Sequence, residues 1–474
     1  MKKLFFFLIV VPACLFGQGK AYEAEVFNKE ILSFDEQKKA YPSLTTPTLN
    51  DNKNGIIKFD IETKKLIYDY FKFARQQGII FSEFKENHYI PVSLCVQPSG
   101  QIDYFVWGFF NPRIKGVTIP KDSLNAEDKR IFVKLAEDFI KNYRLPASIS
   151  QEKFSIGFAV NMGTSTKKES KKFISTIGMA ERCDQPDTVK TLMFGKLELT
   201  SFPAVVLKFK NVEKLDLSDN YIEHIPKQLW QLKKLKFLSL SNNYIDYSTF
   251  RFKKNKHLKD LNLQFTGLNK IPRSIQKNKS LEVLFLGNNL ITSFARRDFK
   301  KMQTLKALNL YNVRLTQLPI NVTKLKNLEE LDLYYNEFKQ LPDEICAMPK
   351  LKTLAVSNNQ LWKLPENLSK IQTLKVLYAH HNKLSTLPVL PDLKLLHLSY
   401  NLFKEVPKEV YPLANLEEFD ISRNEIEEVP VKLVEFKKLQ RVYLHGNNYD
   451  LQAGKSQELS KLVANLESKE ILVR

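Results

Sequence analysis

The string "LDLSDNYIEHIP" at residues 215–226 returns three times with its outline intact: "LDLYYNEFKQLP" at 331–342, "LAVSNNQLWKLP" at 354–365 and "FDISRNEIEEVP" at 419–430. Aligned on the asparagine, the unit falls at Asn220, Asn243, Thr266, Asn289, Val313, Asn336, Asn359, Asn382, Asn401, Asn424 and Asn447. The steps are 23 residues, except one of 24 and one of 19. An earlier degenerate copy, "VKTLMFGKLELTSFP", brings Leu197 into the same register and makes twelve turns over about 189–450. A fixed period of this length means that each unit buries its apolar residues against the next, so the chain builds a solenoid and not a single closed core.

The constant residues have separate physical reasons. In "LxL", side chains alternate between two faces, so Leu215 and Leu217 go inward and Asp216 outward, as in a short strand. The asparagine stands where the chain leaves that strand. Its amide both donates and accepts, and can satisfy backbone groups that the turn leaves unpaired. The proline suits the start of a short helical turn on the outer side. It holds its place in nine of twelve turns, with Thr249, Ala295 and Ala453 as exceptions. Val313 cannot make the asparagine's bonds, so the ladder is expected to be interrupted there. The 19-residue step between Asn382 and Asn401 is expected to lose its residues from the outer side and to tighten the curvature.

The unit L-x-x-L-x-L-x-x-N-x-L-x-x-[LIV]-P resembles the leucine-rich repeat family, in its 23-residue "LP" form, over more than half of the chain. The resemblance implies an α/β solenoid with a parallel sheet on its concave side, used as a binding scaffold in secreted bacterial proteins. Extracellular eukaryotic relatives close their ends with cysteine-rich caps. This chain has four cysteines, Cys14, Cys95, Cys183 and Cys346, too widely spaced for a disulfide framework or a zinc site. The C-terminal residues 451–474, "SQELSKLVANLESKEILVR" among them, read as an amphipathic helix and a short strand that form a cap.

Ahead of the repeats the grammar changes. Residues 1–17 read as a secretory leader, with Lys2 and Lys3 before a 13-residue apolar run, Leu4 to Phe16, that is too short to span a bilayer. Cleavage after Gly17 leaves Gln18 first; the rival reading is a lipoprotein signal with Cys14 acylated. Residues 20–162 read as a small α+β domain. It has a helix ending at Gly78, a hairpin turning at Pro98-Ser99-Gly100, a helix capped by Asn125 and a closing strand in "EKFSIGFAVNM". Residues 90–162 resemble the C-terminal domain of TonB-type transducers but lack that family's anchor and proline-rich spacer, so no transducer role follows. The polar stretch opening 163–188 reads as a linker.

The formal charge of +20 is read as a lysine-rich solvated surface, because the basic residues are spread along the chain and no nucleic-acid motif accompanies them. No phosphate-binding glycine loop, H-E-x-x-H or nucleophile elbow is present, so no enzyme activity and no cofactor are expected. Function then falls to the variable strand positions. From Tyr311 onward these are rich in aromatics and histidines, and Tyr311, Tyr334, Tyr335, Tyr378, His380, His381, His397, Tyr400 and Asp420 are the candidate binding residues. A His397–Asp420 hydrogen bond across strands is expected. Tyrosines stacked on one another as plain scaffold are the competing reading. A metal site of His380, His381 and His397 is disfavoured because adjacent residues point to different places. A Ser399-His397-Asp420 triad lacks an oxyanion donor. The expected partner is a protein or glycan, and the expected location is outside the cytoplasm. The alternative is an envelope protein whose N-terminal domain does the binding.

Overall fold

A computed structural model describes residues 20–23, 66–79 save 68, 88–107 save 98 and 100, 126–144, 154–162, and 173–474 save 292, 296, 452 and 453. The leader expectation at 1–17, the hairpin tip at Pro98 and Gly100, the Asn125 cap and residues 163–172 lie outside the described residues. The chain divides into two compact units.

In the first unit, strands β1 (Lys20–Glu23), β2 (His88–Val96), β3 (Ile102–Trp107) and β4 (Phe154–Met162) form one sheet in the order β1-β3-β2-β4. β2 runs antiparallel to both neighbours, and β1, which the sequence reading did not anticipate, joins β3 in parallel. Ile90, Val92, Leu94 and Val96 recur at every second residue of β2 and are buried. The helix Ala126–Asn142 contributes Phe132, Leu135, Phe139 and Ile140 to the same core. Helical backbone at 69–76 adds Tyr70 and Ala74 to that core, and the chain leaves it through Gly78 at φ +77°.

The second unit is a 13-stranded parallel sheet from β5 (Thr191–Met193) to β17 (Leu472–Val473), each strand paired with its neighbour in chain order. Register is kept throughout: Leu215 sits opposite Leu238, and Leu331 opposite Leu354. These leucines are buried, and the residues flanking them face the open side of the sheet. The asparagines behave as their chemistry demands. Asn289 Nδ2 donates to the Leu263 and Leu286 carbonyls at 2.8 Å each, and its Oδ1 accepts from the Thr266 and Leu268 amides at 3.0 Å each. One side chain thus ties two turns together. Thr266, in an asparagine place, uses its hydroxyl to reach the Leu263 carbonyl at 2.8 Å and accepts from the buried Tyr247 hydroxyl at 2.8 Å.

Six of the prolines, Pro203, Pro226, Pro272, Pro342, Pro407 and Pro430, sit one residue before an outer 3-10 turn. Their carbonyls accept the closing bond, as Pro226 does from Leu229 at 3.1 Å and Pro272 from Ile275 at 2.9 Å. At Thr249 and Ala295, two of the three places without proline, an aspartate organises the turn. Asp246 accepts from Ser248 N and Thr249 Oγ1, and Asp298 accepts from Ala295 N. Across the 19-residue step the register from Val376–Tyr378 to Leu395–His397 is unbroken, and no 3-10 turn lies between them. Residues 173–188, expected as part of a linker, carry a bridge from Ile174 to Leu192 and a short helix, Ile177–Glu181, capped by Thr176 Oγ1. At the other end the helix Lys455–Glu467 buries Leu462 and Leu466, and β17 adds itself to β16 (Arg441–Tyr443) in parallel. Among the described residues, no disulfide joins Cys95, Cys183 and Cys346, and no helix is long and apolar enough to cross a membrane.

Candidate binding surface on the open face of the sheet

The candidate residues come from β10 (Ala307–Asn309) to β15 (Glu418–Asp420) and the turns that leave these strands. The intervening strands are β11 (Glu330–Asp332), β12 (Thr353–Ala355), β13 (Val376–Tyr378) and β14 (Leu395–His397). Strand register sets Tyr378, His397, Asp420 and Tyr443 side by side, one from each successive strand. Two residues further along each turn stand Tyr311, Tyr334, Ser357 and His380.

The eight predicted ring residues form one connected cluster. Tyr311 stacks on Tyr334 with centroids 5.7 Å apart and planes 11° from parallel, and Tyr335 meets Tyr334 edge-on at 4.7 Å. Tyr334 leads to His380 at 5.5 Å, and His380 lies 5.6 Å from His381 and 6.2 Å from His397. His381 stacks on Tyr400 at 3.9 Å, and His397 meets Tyr378 at 5.2 Å. Tyr311 and Tyr334 thus stack on one another, as the competing expectation has it, while the other tyrosine contacts there are edge-on. Most of these rings are half-buried, while His381 and Tyr400 are exposed.

The expected His397–Asp420 bond is not formed. His397 Nε2 instead meets Glu418 Oε1 at 2.8 Å, and Arg441 holds the other oxygen of Glu418 through Nε at 2.6 Å. Asp420 Oδ1 accepts from Ser422 N at 3.0 Å and Ser422 Oγ at 2.7 Å. The physical reason is register. Glu418 is two residues before Asp420, so it faces the same side, and it carries the longer side chain. The candidate residues come from three open-face positions per turn, whereas Glu418 holds a fourth, which also supplies Arg441. The period-of-two rule applied one step earlier in each strand identifies it. No group of three or more histidine, cysteine or acidic side chains among the described residues is arranged to hold a metal.

At neutral pH His380 and Tyr334 are uncharged. His380 Nε2 lies 3.1 Å from the Tyr334 hydroxyl and its Nδ1 2.9 Å from Ser357 Oγ. Burial, then His381 and His397, push its pKa down to about 4. Burial also lowers His381, with Asp420 opposing. Burial, with Tyr335 and Tyr311 adding to it, pushes the Tyr334 phenol up to about 12. For Glu418, burial works to raise the pKa, but the bonds from His397 and Arg441 outweigh it and hold the carboxyl below its ordinary range.

The backbone adds an independent observation. The residue just before each ladder position is left-handed: φ lies between 52 and 58° at Asp219, Asn242, Phe265, Asn288, Asn312, Tyr335, Asn358, His381, Tyr400 and Arg423. Asparagine and aspartate tolerate this conformation, whereas larger side chains hold it at a cost of about 1–2 kcal/mol each. Five of the ten are Asn or Asp. Four of the other five, Tyr335, His381, Tyr400 and Arg423, belong to the ring cluster or touch it, Arg423 lying over the Tyr400 ring at 5.2 Å.

A parallel sheet of one short strand per turn, laced by asparagines and backed by 3-10 turns, defines a solenoid repeat protein. Two family models, described as "Leucine rich repeat" over residues 188–245, 256–315 and 391–448 and "Leucine-rich repeat region" over 289–386, together match more than half of the chain. The chain belongs to the leucine-rich repeat family, whose fold is commonly used for protein–protein interaction. It is similar to the solved structure of a leucine-rich repeat protein from Leptospira interrogans, at 23% identity over 64% of this chain and 100% of that one, with a TM-score of 0.37. An internalin from Listeria monocytogenes is 15% identical over 62% of this chain and 92% of its own, with a TM-score of 0.47. The ectodomain of the receptor kinase GASSHO1/SCHENGEN3 from Arabidopsis thaliana, solved with CASPARIAN STRIP INTEGRITY FACTOR 2, is 24% identical over 58% and 37%, with a TM-score of 0.44. No curated protein sequence matches the chain.

Proposed function

We propose that this chain is a non-enzymatic recognition protein of bacterial origin that acts outside the cytoplasm. In this reading it binds a protein or glycan through the concave aromatic patch from Tyr311 to Tyr443. The observation that carries the reading is the coincidence just described. Large planar side chains occupy strained left-handed positions in the turns that build the ring cluster, where Asn288, Asn312 and Asn358 show the relaxed choice. Left-handed large residues also occur elsewhere, Phe265 among them, but their repetition at His381, Tyr400 and Arg423 in three successive turns is expected where side chains serve something besides the scaffold. The patch offers flat apolar faces with hydroxyl and imidazole edges, a surface that gives large contact area at low entropy cost.

The test is capture of a partner from envelope fractions by the whole protein, followed by binding with Tyr334→Ala, Tyr378→Ala and Trp362→Ala. Trp362 is 52% exposed and outside the patch, so it controls for loss of any aromatic surface. Truncation at the two tyrosines is expected to cost about 2 kcal/mol or more each. Equal binding by all three folded variants removes the patch from the account. Mass spectrometry of native protein tests the location: a chain starting near Gln18 supports export, a lipid on Cys14 replaces free export by anchoring, and an intact Met1 in cytoplasmic material refutes it.

A further inference from the structure

The +20 charge is not evenly spread once the chain is folded. Residues 226–307 hold fourteen lysines and four arginines against four carboxylates. The repeat register gathers the lysines into rows on the edge where the chain enters each strand. Lys210, Lys233, Lys256 and Lys279 stand at one position of four consecutive turns. Two residues earlier in the unit, Lys254, Lys277, Lys301 and Lys324 do the same over four turns. All eight are exposed.

A third row nearby shows what the scaffold does when charge must only be tolerated. There, Glu213 lies between Lys190 and Lys236, at 3.4 and 2.6 Å, and Glu282 lies between Lys259 and Lys306, at 2.6 and 2.7 Å. Glu329 pairs with Lys352, and Glu417 with Lys394. Glutamates interrupt the lysines of this row, and where two lysines adjoin, as Lys236 and Lys259 do, each has a glutamate on its other side, so repulsion along the row is reduced. The two all-lysine rows carry no such glutamates, and among the described residues none of their eight lysines has an ion pair. Like charges repeated at successive turns repel one another, a cost the glutamates of the third row lessen.

We infer that these two rows are a docking surface for an anionic lipid bilayer, separate from the concave patch. Two parallel rows over several turns make a broad array and not a groove, which suits a plane of charge better than a thread. Lysine ammoniums are hydrated point charges that do not require the bidentate geometry arginine supplies, and mobile headgroups rearrange to meet them. Single-stranded nucleic acid is bound by aromatic platforms. Among the described residues, the exposed large apolar side chains in the 210–324 span of the rows come down to Ile320, and none is aromatic. The attachment is therefore electrostatic and superficial, without insertion into the hydrocarbon.

The test is co-sedimentation of the whole chain with phosphatidylcholine vesicles, with and without phosphatidylglycerol. Binding is expected only with phosphatidylglycerol and is expected to weaken with salt. The triple variant Lys233→Gln, Lys256→Gln, Lys279→Gln is expected to bind about a hundredfold more weakly, at roughly fivefold per lysine. Its control, Lys339→Gln, Lys383→Gln, Lys404→Gln, loses the same charge from the opposite edge and is expected to change binding severalfold less. Thermal unfolding should show the row variant as stable as the parent or more so, since repulsion is relieved. Equal losses in both triples, no preference for phosphatidylglycerol, or displacement of vesicle-bound protein by equimolar duplex DNA or heparin would each overturn the inference.

Discussion

Asn336→Ala is expected to be much more costly than the same truncation at Asn382, and the difference can be worked out bond by bond. Asn336 Nδ2 donates to the Leu310 and Leu333 carbonyls at 2.9 Å, and its Oδ1 accepts from Leu315 N at 2.9 Å and Val313 N at 3.3 Å. The Leu333 carbonyl keeps a second donor, Asn359 Nδ2 at 3.0 Å. Leu310 has no such reserve, because the neighbour that would provide it is Val313. Truncation therefore strands one carbonyl and two amides in a buried place. At Asn382 both carbonyls are doubly served. Val356 O also accepts from Asn359 at 2.9 Å and Ala379 O from Asn401 at 3.0 Å, so the loss falls mainly on Leu361 N. At the lower part of the range of about 1–3 kcal/mol per stranded group, three groups give Asn336→Ala a cost of about 3–5 kcal/mol and one group gives Asn382→Ala about 1–2 kcal/mol. The side chain removed is the same, so the cavity left behind largely cancels in the comparison. Urea unfolding followed by circular dichroism, at constant m, reads the difference. Val313→Asn should recover part of the Asn336→Ala loss, because its amide is placed to reach Leu310 O, and the double-mutant cycle isolates that coupling. Equal losses at the two asparagines, or no rescue, would refute the ladder reasoning.

Three further outcomes follow from the same geometry. His381→Asn should raise stability by about 0.5–1 kcal/mol, measured by thermal or urea unfolding, by placing a residue tolerant of φ +53° there; a loss would show that the His381–Tyr400 stack outweighs backbone strain. His380 has a folded pKa near 4, below its unfolded value of about 6.5, so between these limits the unfolded chain binds more protons. Stability from this group is then present above about pH 6.5 and lost as pH falls towards 4, and His380→Gln should flatten the stability profile in that window relative to the parent. Gly287→Ala should cost about 1–3 kcal/mol by urea unfolding, because a methyl group there meets Asn309 Oδ1 at 2.6 Å and the Tyr311 carbonyl at 2.9 Å. The absence of a side chain at Gly287 is also what lets Gln264 reach Asn309 at 3.3 Å across the intervening turn.

How far the fold and the surface could be read in advance depended on whether a feature is local or accumulates over turns. The strand, the asparagine's bonds and the outer turn each lie within one unit or between adjacent ones, so a 23-residue period exposes them directly. The ring cluster was legible for the same reason, since its members share repeat positions. Exceptions to the repeat were harder to read. Nothing in the unit announces that Tyr247 serves Thr266, because the tyrosine stands outside the constant pattern. Nor does the N-terminal region's hairpin indicate that Lys20–Glu23 adds a parallel strand from far along the chain.

Charge shows the same distinction at greater length. Read linearly, the lysines of 226–307 are separated by leucines and polar residues and form no run. Read at one position per turn, they line up, while three residues further on Glu213 and Glu282 flank Lys236 and Lys259 and pair with them. His397 illustrates the point within the candidate site. Asp420 is its aligned partner on the next strand, yet Glu418, two residues earlier and one side-chain carbon longer, takes the bond and shares it with Arg441 from the strand beyond. Alternation identifies which side chains share a face. Reach and competition among them, here one carboxylate serving an imidazole and a guanidinium, decide which pairs form, and those depend on three strands at once.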